Sequence, residues 1–222
     1  MNTPSKSYRV LAWMGSFLTV GIILMLSVRV LITPLFARIE YRLPNFPNDP
    51  YGFTMEDRLR WSEPAITYLI NNQGIGFLEA LTFDDGSAVF TARELSHMQD
   101  VKTVVSGMRI ALVIAILLLL GITYLAVKQG WRDAMIQALK RGAWGVIGLI
   151  GVILFLLLVN FNQLFVWFHM LFFESGTWMF YTYDTLIRLF PMRFWQDAFI
   201  YVGVLSLLMA VGVIGFAKQQ GR

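Results

Sequence analysis

Two histidines, His97 and His169, are the residues of this sequence best suited to chemistry, and the sequence contains no others. Histidine titrates near neutral pH, so a pair of imidazoles can supply one proton acceptor and one proton donor. Glu94 precedes His97 by three residues and Asp100 follows it by three, so a helix would place all three on one face. Because the sequence has no cysteine, a cysteine nucleophile and thiolate metal ligands are excluded.

Each of these residues also has a structural interpretation. Glu94 follows Thr91 at the spacing of a capping box, in which the carboxylate accepts the Thr91 amide hydrogen and starts a helix. A single histidine near a membrane interface is commonly a packed, hydrogen-bonded side chain. Glu94-x-x-His97 is half of a di-metal carboxylate motif, but the sequence contains no second copy, so we expect neither a metal nor another cofactor.

The elements that must position the histidines are membrane-spanning helices. The 222-residue chain is 57% hydrophobic and has a mean hydropathy of +0.61, which is typical of a membrane protein. A helix needs about 20 apolar residues to cross a hydrocarbon core about 30 Å thick. Four stretches meet this requirement, at roughly 10–32, 110–127, 144–168 and 199–216. We therefore predict an all-α polytopic membrane protein with four transmembrane helices in a single membrane domain.

Basic residues flank these spans on one side of the membrane. By the positive-inside rule, the side that carries them is the cytoplasm, so both termini and the loop at about 128–143 are predicted to be cytoplasmic. The outer side then holds two segments, about 33–109 and 168–198, and each contains one histidine. The basic residues are Lys6, Arg9, Lys128, Arg132, Lys140, Arg141, Lys218 and Arg222.

The first outer segment is predicted to form a small, mostly helical cap. Thr54 and Asp57 have the spacing of a capping box that would start a helix ending near Leu69. Asp84-Asp85-Gly86 predicts a turn between two short apolar runs, which suggests a small hairpin. The capping box before His97 then opens a helix that we expect to continue into the second span.

The second outer segment is rich in aromatic and aliphatic residues, which favours a short helix in the headgroup layer. Within it, Asp184 and Arg188 are four residues apart, in the order that stabilises a helical ion pair. The segment would act either as a simple link between spans or as a support that holds an acyl chain and orients His169. The sequence leaves both interpretations open.

Around its two histidines the chain resembles the bacterial lipoprotein intramolecular transacylases. The four-span layout with an outer cap also resembles that family. The matching residues are His97-Met98-Gln99-Asp100-Val101-Lys102 and Phe168-His169, followed by Leu171, Phe172, Phe173, Trp178, Asp184, Ile187, Pro191 and Phe194.

The resemblance implies an acyltransferase of the bacterial cell membrane that works at the outer leaflet, among membrane phospholipids. Its substrate would be a diacylglyceryl-modified lipoprotein, whose sn-2 acyl chain moves to the amino group of the modified cysteine and leaves a lyso-form lipoprotein. The family's two catalytic histidines correspond to His97 and His169.

Charged residues near these segments, Asp184 among them, are candidates for supporting roles. We expect Asp100, one helical turn from His97, to orient the imidazole ring. Arg188, Lys102 or Arg58 would stabilise the oxyanion or contact phospholipid headgroups.

The main alternative is a non-enzymatic tetraspan scaffold that binds a partner protein through its cap. In that case both histidines could be replaced without functional loss. Nucleic-acid binding is disfavoured because the basic residues form no stripe with stacking aromatics. An intramembrane aspartyl protease is also disfavoured because none of the four predicted spans contains an aspartate.

Overall fold

The computed structural model describes residues 6–220, with side chains from residue 8 onwards. Arg222 and the Lys6 side chain, which contributed to the predicted orientation, lie outside the described residues. The described chain forms eight helices: α1 (Lys6–Leu31), α2 (Pro34–Glu40), α3 (Met55–Ile70), α4 (Gly76–Glu79), α5 (Ala92–Lys128), α6 (Arg132–Phe172), α7 (Thr185–Leu189) and α8 (Met192–Gln220).

Four of these helices, α1, α5, α6 and α8, are long and apolar enough to cross a membrane. The predicted all-α class with four transmembrane helices is therefore confirmed. Helices α5 and α6 extend well beyond the predicted spans 110–127 and 144–168, because helix-forming polar residues continue them at their amino-terminal ends.

The chain divides into two compact units. The first comprises the described parts of Met1–Arg29, Met108–Phe155 and Ile200–Arg222, and the second comprises Val30–Gly107 and Leu156–Phe199. Both histidines belong to the second unit.

Small residues hold the helices of the first unit close together. Ser16 Oγ donates to the Ala138 carbonyl at 2.9 Å, and a Cβ atom added to Gly142 would lie only 2.6 Å from the Ser16 carbonyl oxygen. Ser206 Oγ donates to Ser27 Oγ at 2.9 Å. Close approach and hydrogen bonding of this kind associate helices in lipid, where the hydrophobic effect provides no drive between apolar surfaces.

The second unit contains both predicted capping boxes. Thr54 and Asp57 start α3, which ends at Ile70 with Asn71 as its C-cap, so this predicted helix is confirmed. The Thr91 amide donates to Glu94 Oε2 at 2.8 Å at the start of α5, and α5 runs without a break into the second apolar span, as predicted. Buried residues that form the main core of this unit are Trp61, Ala65, Tyr68, Leu78, Val89, Phe90, Met98, Leu186 and Leu189.

The predicted hairpin forms its turn but not its strands. Phe83 N donates to the Ser87 carbonyl at 2.8 Å, and Gly86 adopts a φ of +84°. The described residues around this turn contain a single bridge, between Thr82 and Ala88, because residues 76–79 form α4 and too few residues follow the turn before α5 begins.

Helix α2 was not predicted from the sequence. Thr33 is its N-cap, with an extended backbone and a side chain that accepts a hydrogen bond from Phe36 N, and Pro34 occupies its first turn. A threonine followed by proline is a helix-start signal that could have located it.

Glu40, at the end of α2, is fully buried, and neither of its carboxyl oxygens has a hydrogen-bond partner among the described residues. Burial, reinforced by the neighbouring Asp197 carboxyl, raises the pKa of Glu40 to about 8, although Arg193 opposes the shift. Glu40 is therefore predominantly protonated in the folded protein at neutral pH.

We expect the stability of the protein to fall as the pH rises from about 5 to 8. In this range the unfolded chain has already released the Glu40 proton, since its ordinary pKa is 4.5, whereas the folded protein retains it until about pH 8. The Glu40→Gln variant mimics the neutral acid, so its stability should not show this decline, which amounts to at most about 1.4 kcal/mol per pH unit, or about 3–6 °C in Tm.

Thermal unfolding in detergent micelles across this pH range would measure the effect. Glu79 is exposed, so Glu79→Gln should keep the wild-type dependence on pH and serves as the control. Parallel pH profiles for Glu40→Gln and the wild type would contradict the assignment of a protonated Glu40.

Candidate active site

His97 is positioned by the capping box at the start of α5. Glu94 is fully buried, and its Oε2 accepts hydrogen bonds from the Thr91 amide at 2.8 Å and from Thr91 Oγ1 at 2.9 Å. Its Oε1 accepts a hydrogen bond from the Leu186 amide at 2.7 Å. A single carboxylate therefore joins the start of α5, one turn before His97, to the start of α7.

His169 is positioned by a separately capped segment at the end of α6. Asn160 breaks the helix with φ −160° and ψ 87°, and its Oδ1 accepts the Gln163 amide at 3.0 Å, which is N-cap geometry. His169 lies on the helical segment that follows this cap. The break was not predicted, although an asparagine followed three residues later by glutamine is a recognisable start signal.

The two imidazole rings lie close together in the second unit. Their centroids are 6.3 Å apart and their planes differ by 24°. His97 is 9% exposed and His169 is 7% exposed, so both are buried. The structure therefore brings together the two residues that the sequence analysis singled out, and their catalytic role stays a prediction.

An aromatic cluster encloses the two rings. Phe173 contacts both, with its centroid 5.0 Å from that of His97 and 5.7 Å from that of His169. Phe180 lies 5.4 Å from His97, and Trp178 lies 4.7 Å from His169. Such walls offer few competing polar groups, which strengthens electrostatic interactions inside the site. We call Phe165, Phe168, Phe173, Trp178 and Phe180 the aromatic cluster.

Hydrogen bonding distinguishes the two imidazoles. His169 Nδ1 lies 2.8 Å from the Phe165 carbonyl oxygen, and because a carbonyl can only accept, this nitrogen carries the hydrogen. The neutral His169 ring therefore has its lone pair on Nε2. His97 Nδ1 is buried without a hydrogen-bond partner. Buried polar atoms are normally paired, so this nitrogen is available to a substrate atom or a proton.

Asp100 does not orient His97, contrary to our expectation. The Asp100 side chain is exposed, His97 is buried, and the described residues provide no hydrogen bond between them. The two residues lie on adjacent turns, but one faces the interior of the unit and the other faces its surface.

The ion pair predicted between Asp184 and Arg188 is also absent. Asp184 is the N-cap of α7, with φ −65° and ψ 143°, and its carboxylate pairs with Arg93 at 3.0 Å. Arg188 pairs instead with Asp49 at 2.9 Å. The extended backbone of Asp184 removes it from the helical repeat on which the prediction depended.

The other basic candidates are engaged away from the imidazoles. Arg58 donates to the Arg188 carbonyl at 3.1 Å and to the Pro47 carbonyl at 2.7 Å. Lys102 donates to Asn71 Oδ1 at 3.0 Å. Their hydrogen bonds fasten the loops of the second unit, and the structure places none of these cations in hydrogen-bond contact with His97 or His169.

Sequence reasoning missed the aromatic walls of the site. Phe173 and Trp178 were noted as matching residues, and Phe180 lies in the segment described as rich in aromatic residues, but none of the three was assigned to the site. The signal was their concentration within eleven residues after His169, in a segment interrupted by Gly176, whose φ is +90°. A chain that turns sharply there can fold its aromatic rings back onto the preceding helix end.

Comparison with known proteins places this arrangement in context. The model of the protein family described as lipoprotein intramolecular transacylase Lit matches residues 13–195 of this chain. An uncharacterised protein of Aquifex aeolicus is 31% identical over 206 residues, which cover 88% of this chain and 91% of that protein.

Solved structures give the same picture of the fold. A structure of the membrane-integral lipoprotein intramolecular transacylase Lit from Bacillus cereus matches with a TM-score of 0.77 and 19% identity over 99% of each chain. A second structure of that protein, with one histidine mutated to alanine, matches with a TM-score of 0.71 and 18% identity over 96% of this chain and 93% of that one. These matches show a shared fold.

Proposed function

The chain belongs to the lipoprotein intramolecular transacylase family, and on this premise we propose that it converts diacylglyceryl-modified lipoproteins into their lyso-form. In this reaction the sn-2 acyl chain of the modified cysteine moves to the α-amino group of the same cysteine. The observation that carries the proposal is the pair of buried imidazoles, 6.3 Å apart, within an aromatic enclosure.

The reaction requires two proton-handling groups. The amine nitrogen forms a bond to the ester carbonyl carbon, the carbonyl oxygen becomes a tetrahedral oxyanion, and collapse breaks the bond to the glycerol oxygen. An ammonium carries three protons and the product amide carries one. Two protons therefore leave the nitrogen, of which one ends on the glycerol oxygen and the other goes to solvent.

The histidine pair matches this requirement. We assign one proton to each imidazole, and either ring can accept first. His169 is held with its Nε2 lone pair available, because the Phe165 carbonyl occupies the opposite nitrogen. His97 has an unpaired Nδ1 in the same enclosure. Since the ester and the amine belong to one substrate molecule, the substrate itself provides most of their proximity.

The proposal also includes a location. The basic flanks predict cytoplasmic termini, which puts the carboxyl end of α6 and the start of α5 at the outer leaflet of the bacterial cell membrane. The donor ester of a diacylglyceryl group lies at the boundary between headgroups and acyl chains. Helix ends that bear His97 and His169 at that depth would meet the ester without drawing it into water.

Lipopeptide mass spectrometry tests this function. The chain would be expressed in a bacterial host that makes diacylglyceryl lipoproteins but does not N-acylate them, and a tryptic N-terminal lipopeptide would be fragmented. We expect one acyl chain to move to nitrogen with no change in total mass, because the transfer is intramolecular.

The total mass of the lipopeptide and its fragmentation pattern together distinguish intramolecular transfer, transfer from a phospholipid and no transfer. A gain of one acyl mass would indicate a phospholipid donor and would reject the intramolecular reaction. An unshifted lipopeptide from cells with abundant, folded protein would reject acyl transfer and favour the scaffold interpretation. Cells that carry an empty vector provide the baseline.

A further inference from the structure

Trp178 contributes a buried hydrogen-bond donor that the protein leaves unused. Its indole Nε1 is buried and has no partner. Indole nitrogen can only donate, so no rearrangement of its hydrogen would allow it to act as an acceptor. A buried N–H group without a partner costs free energy, and an unpaired donor in a native protein calls for a specific explanation.

The position of Trp178 supplies that explanation. Its ring lies 4.7 Å from the His169 ring, centroid to centroid, with planes 33° apart. The Phe165 carbonyl, which lies beside the His169 ring, already accepts the hydrogen bond from His169 Nδ1. Of the six buried side-chain atoms without partners in the described chain, only this one is exclusively a donor, and it belongs to the aromatic cluster.

The proposed reaction lacks one component that this donor could provide. Negative charge develops on the ester carbonyl oxygen when nitrogen attacks, and enzymes stabilise such an oxyanion with preorganised donors. Both imidazoles are assigned to proton transfer. Arg58, Arg188 and Lys102, the cations considered from the sequence, hydrogen-bond elsewhere.

We propose that the Trp178 Nε1–H group donates a hydrogen bond to the tetrahedral oxyanion during acyl transfer, which makes Trp178 a catalytic residue of the site. This inference rests on the proposed function. A neutral donor suits the task because the indole N–H does not ionise, so it stabilises the oxyanion without taking part in proton transfer.

Substitutions at position 178 distinguish the contribution of the indole N–H group from that of the aromatic ring. Trp178→Phe keeps an aromatic surface against His169 and removes the donor, and Trp178→Leu removes both. Benzothienylalanine incorporated at position 178 keeps the bicyclic shape and replaces only the N–H group by sulfur. Trp195→Phe is the matched control. The centroid of the Trp195 ring lies 6.0 Å from that of Phe165, and Trp195 has no proposed role in the reaction.

Steady-state kinetics on a purified diacylglyceryl lipopeptide would provide the readout. We expect Trp178→Phe and the benzothienylalanine protein to lower kcat about 10²–10³-fold with little change in KM. Trp195→Phe should stay within a few-fold of the wild type, and the melting temperature of each protein would report whether it is folded.

Two results would overturn the inference. If the benzothienylalanine protein, which retains the packing even where Trp178→Phe unfolds, transfers acyl chains at the wild-type rate, the donor has no catalytic part. If kcat is unchanged and only KM rises, Trp178 binds substrate but does not stabilise the transition state. Failure of the wild type to transfer would instead reject the proposed function, so the two failures are distinguishable.

Discussion

Replacement of either His97 or His169 by alanine is expected to lower the rate of acyl transfer about 10²–10⁴-fold. Each ring accepts one of the two protons that the attacking nitrogen must lose, and a centroid separation of 6.3 Å allows both to face one substrate. Because the two rings act on a single reaction coordinate, the double variant should be little slower than either single variant. Single-turnover conversion of a synthetic diacylglyceryl lipopeptide, followed by chromatography and mass spectrometry, would measure the rates.

Alanine also leaves a cavity among the aromatic rings, so each variant needs a structural control. His97→Asn retains a polar side chain of similar length and should be equally inactive if proton transfer is the role. Asp100→Asn changes a charge one turn away on the exposed surface and should leave the rate within a few-fold of the wild type. Near-normal rates for His97→Ala or His169→Ala, in folded protein, would remove the basis of the proposed mechanism and support the scaffold alternative.

The features that the sequence predicted well are those that depend on local signals. Four apolar runs specify four spanning helices, because every backbone amide in lipid must be bonded within its own helix. Two capping boxes located the starts of α3 and α5, because each depends on residues only three positions apart. Asn160 was missed because an apolar run conceals a cap when only hydropathy is considered.

The predicted ion pair between Asp184 and Arg188 was wrong because the residues that actually pair with them are distant in the sequence. Asp184 and Arg188 satisfy the local rule for a helical pair, yet Arg93 and Asp49 bind them instead. An exposed pair at this spacing is worth only about 0.3–0.5 kcal/mol. Such a weak preference is readily overcome once folding supplies partners in a more buried setting, as with Asp49.

The proximity of the imidazoles is likewise a tertiary property. No spacing rule relates His97 to His169, and the contacts that bring them together run through Phe173, which touches both rings. Composition and hydropathy place each histidine near a helix end, but only the return of the chain after Gly176 closes the aromatic cluster around them.

Loss of Glu94 is expected to produce the largest effect on stability. The Glu94→Ala variant would remove the acceptor for the Thr91 amide and the acceptor for the Leu186 amide, which is buried. A cap costs about 1 kcal/mol, and a buried amide left unpaired costs about 1–3 kcal/mol. We therefore expect a loss of about 2–4 kcal/mol in the free energy of unfolding, or roughly 5–15 °C in Tm, accompanied by loss of activity because His97 lies one turn away.

The capping box of α3 provides a matched control for this prediction. Asp57 makes the same local hydrogen bonds to Thr54 but lies at the surface and bonds to no second segment. Asp57→Ala should therefore lower the free energy of unfolding only by the contribution of the helix cap, about 1 kcal/mol, and should leave acyl transfer intact. The difference between the two variants isolates the bond from Glu94 to Leu186. Equal losses of stability in thermal unfolding would contradict the view that this one carboxylate couples the α5 segment bearing His97 to the start of α7.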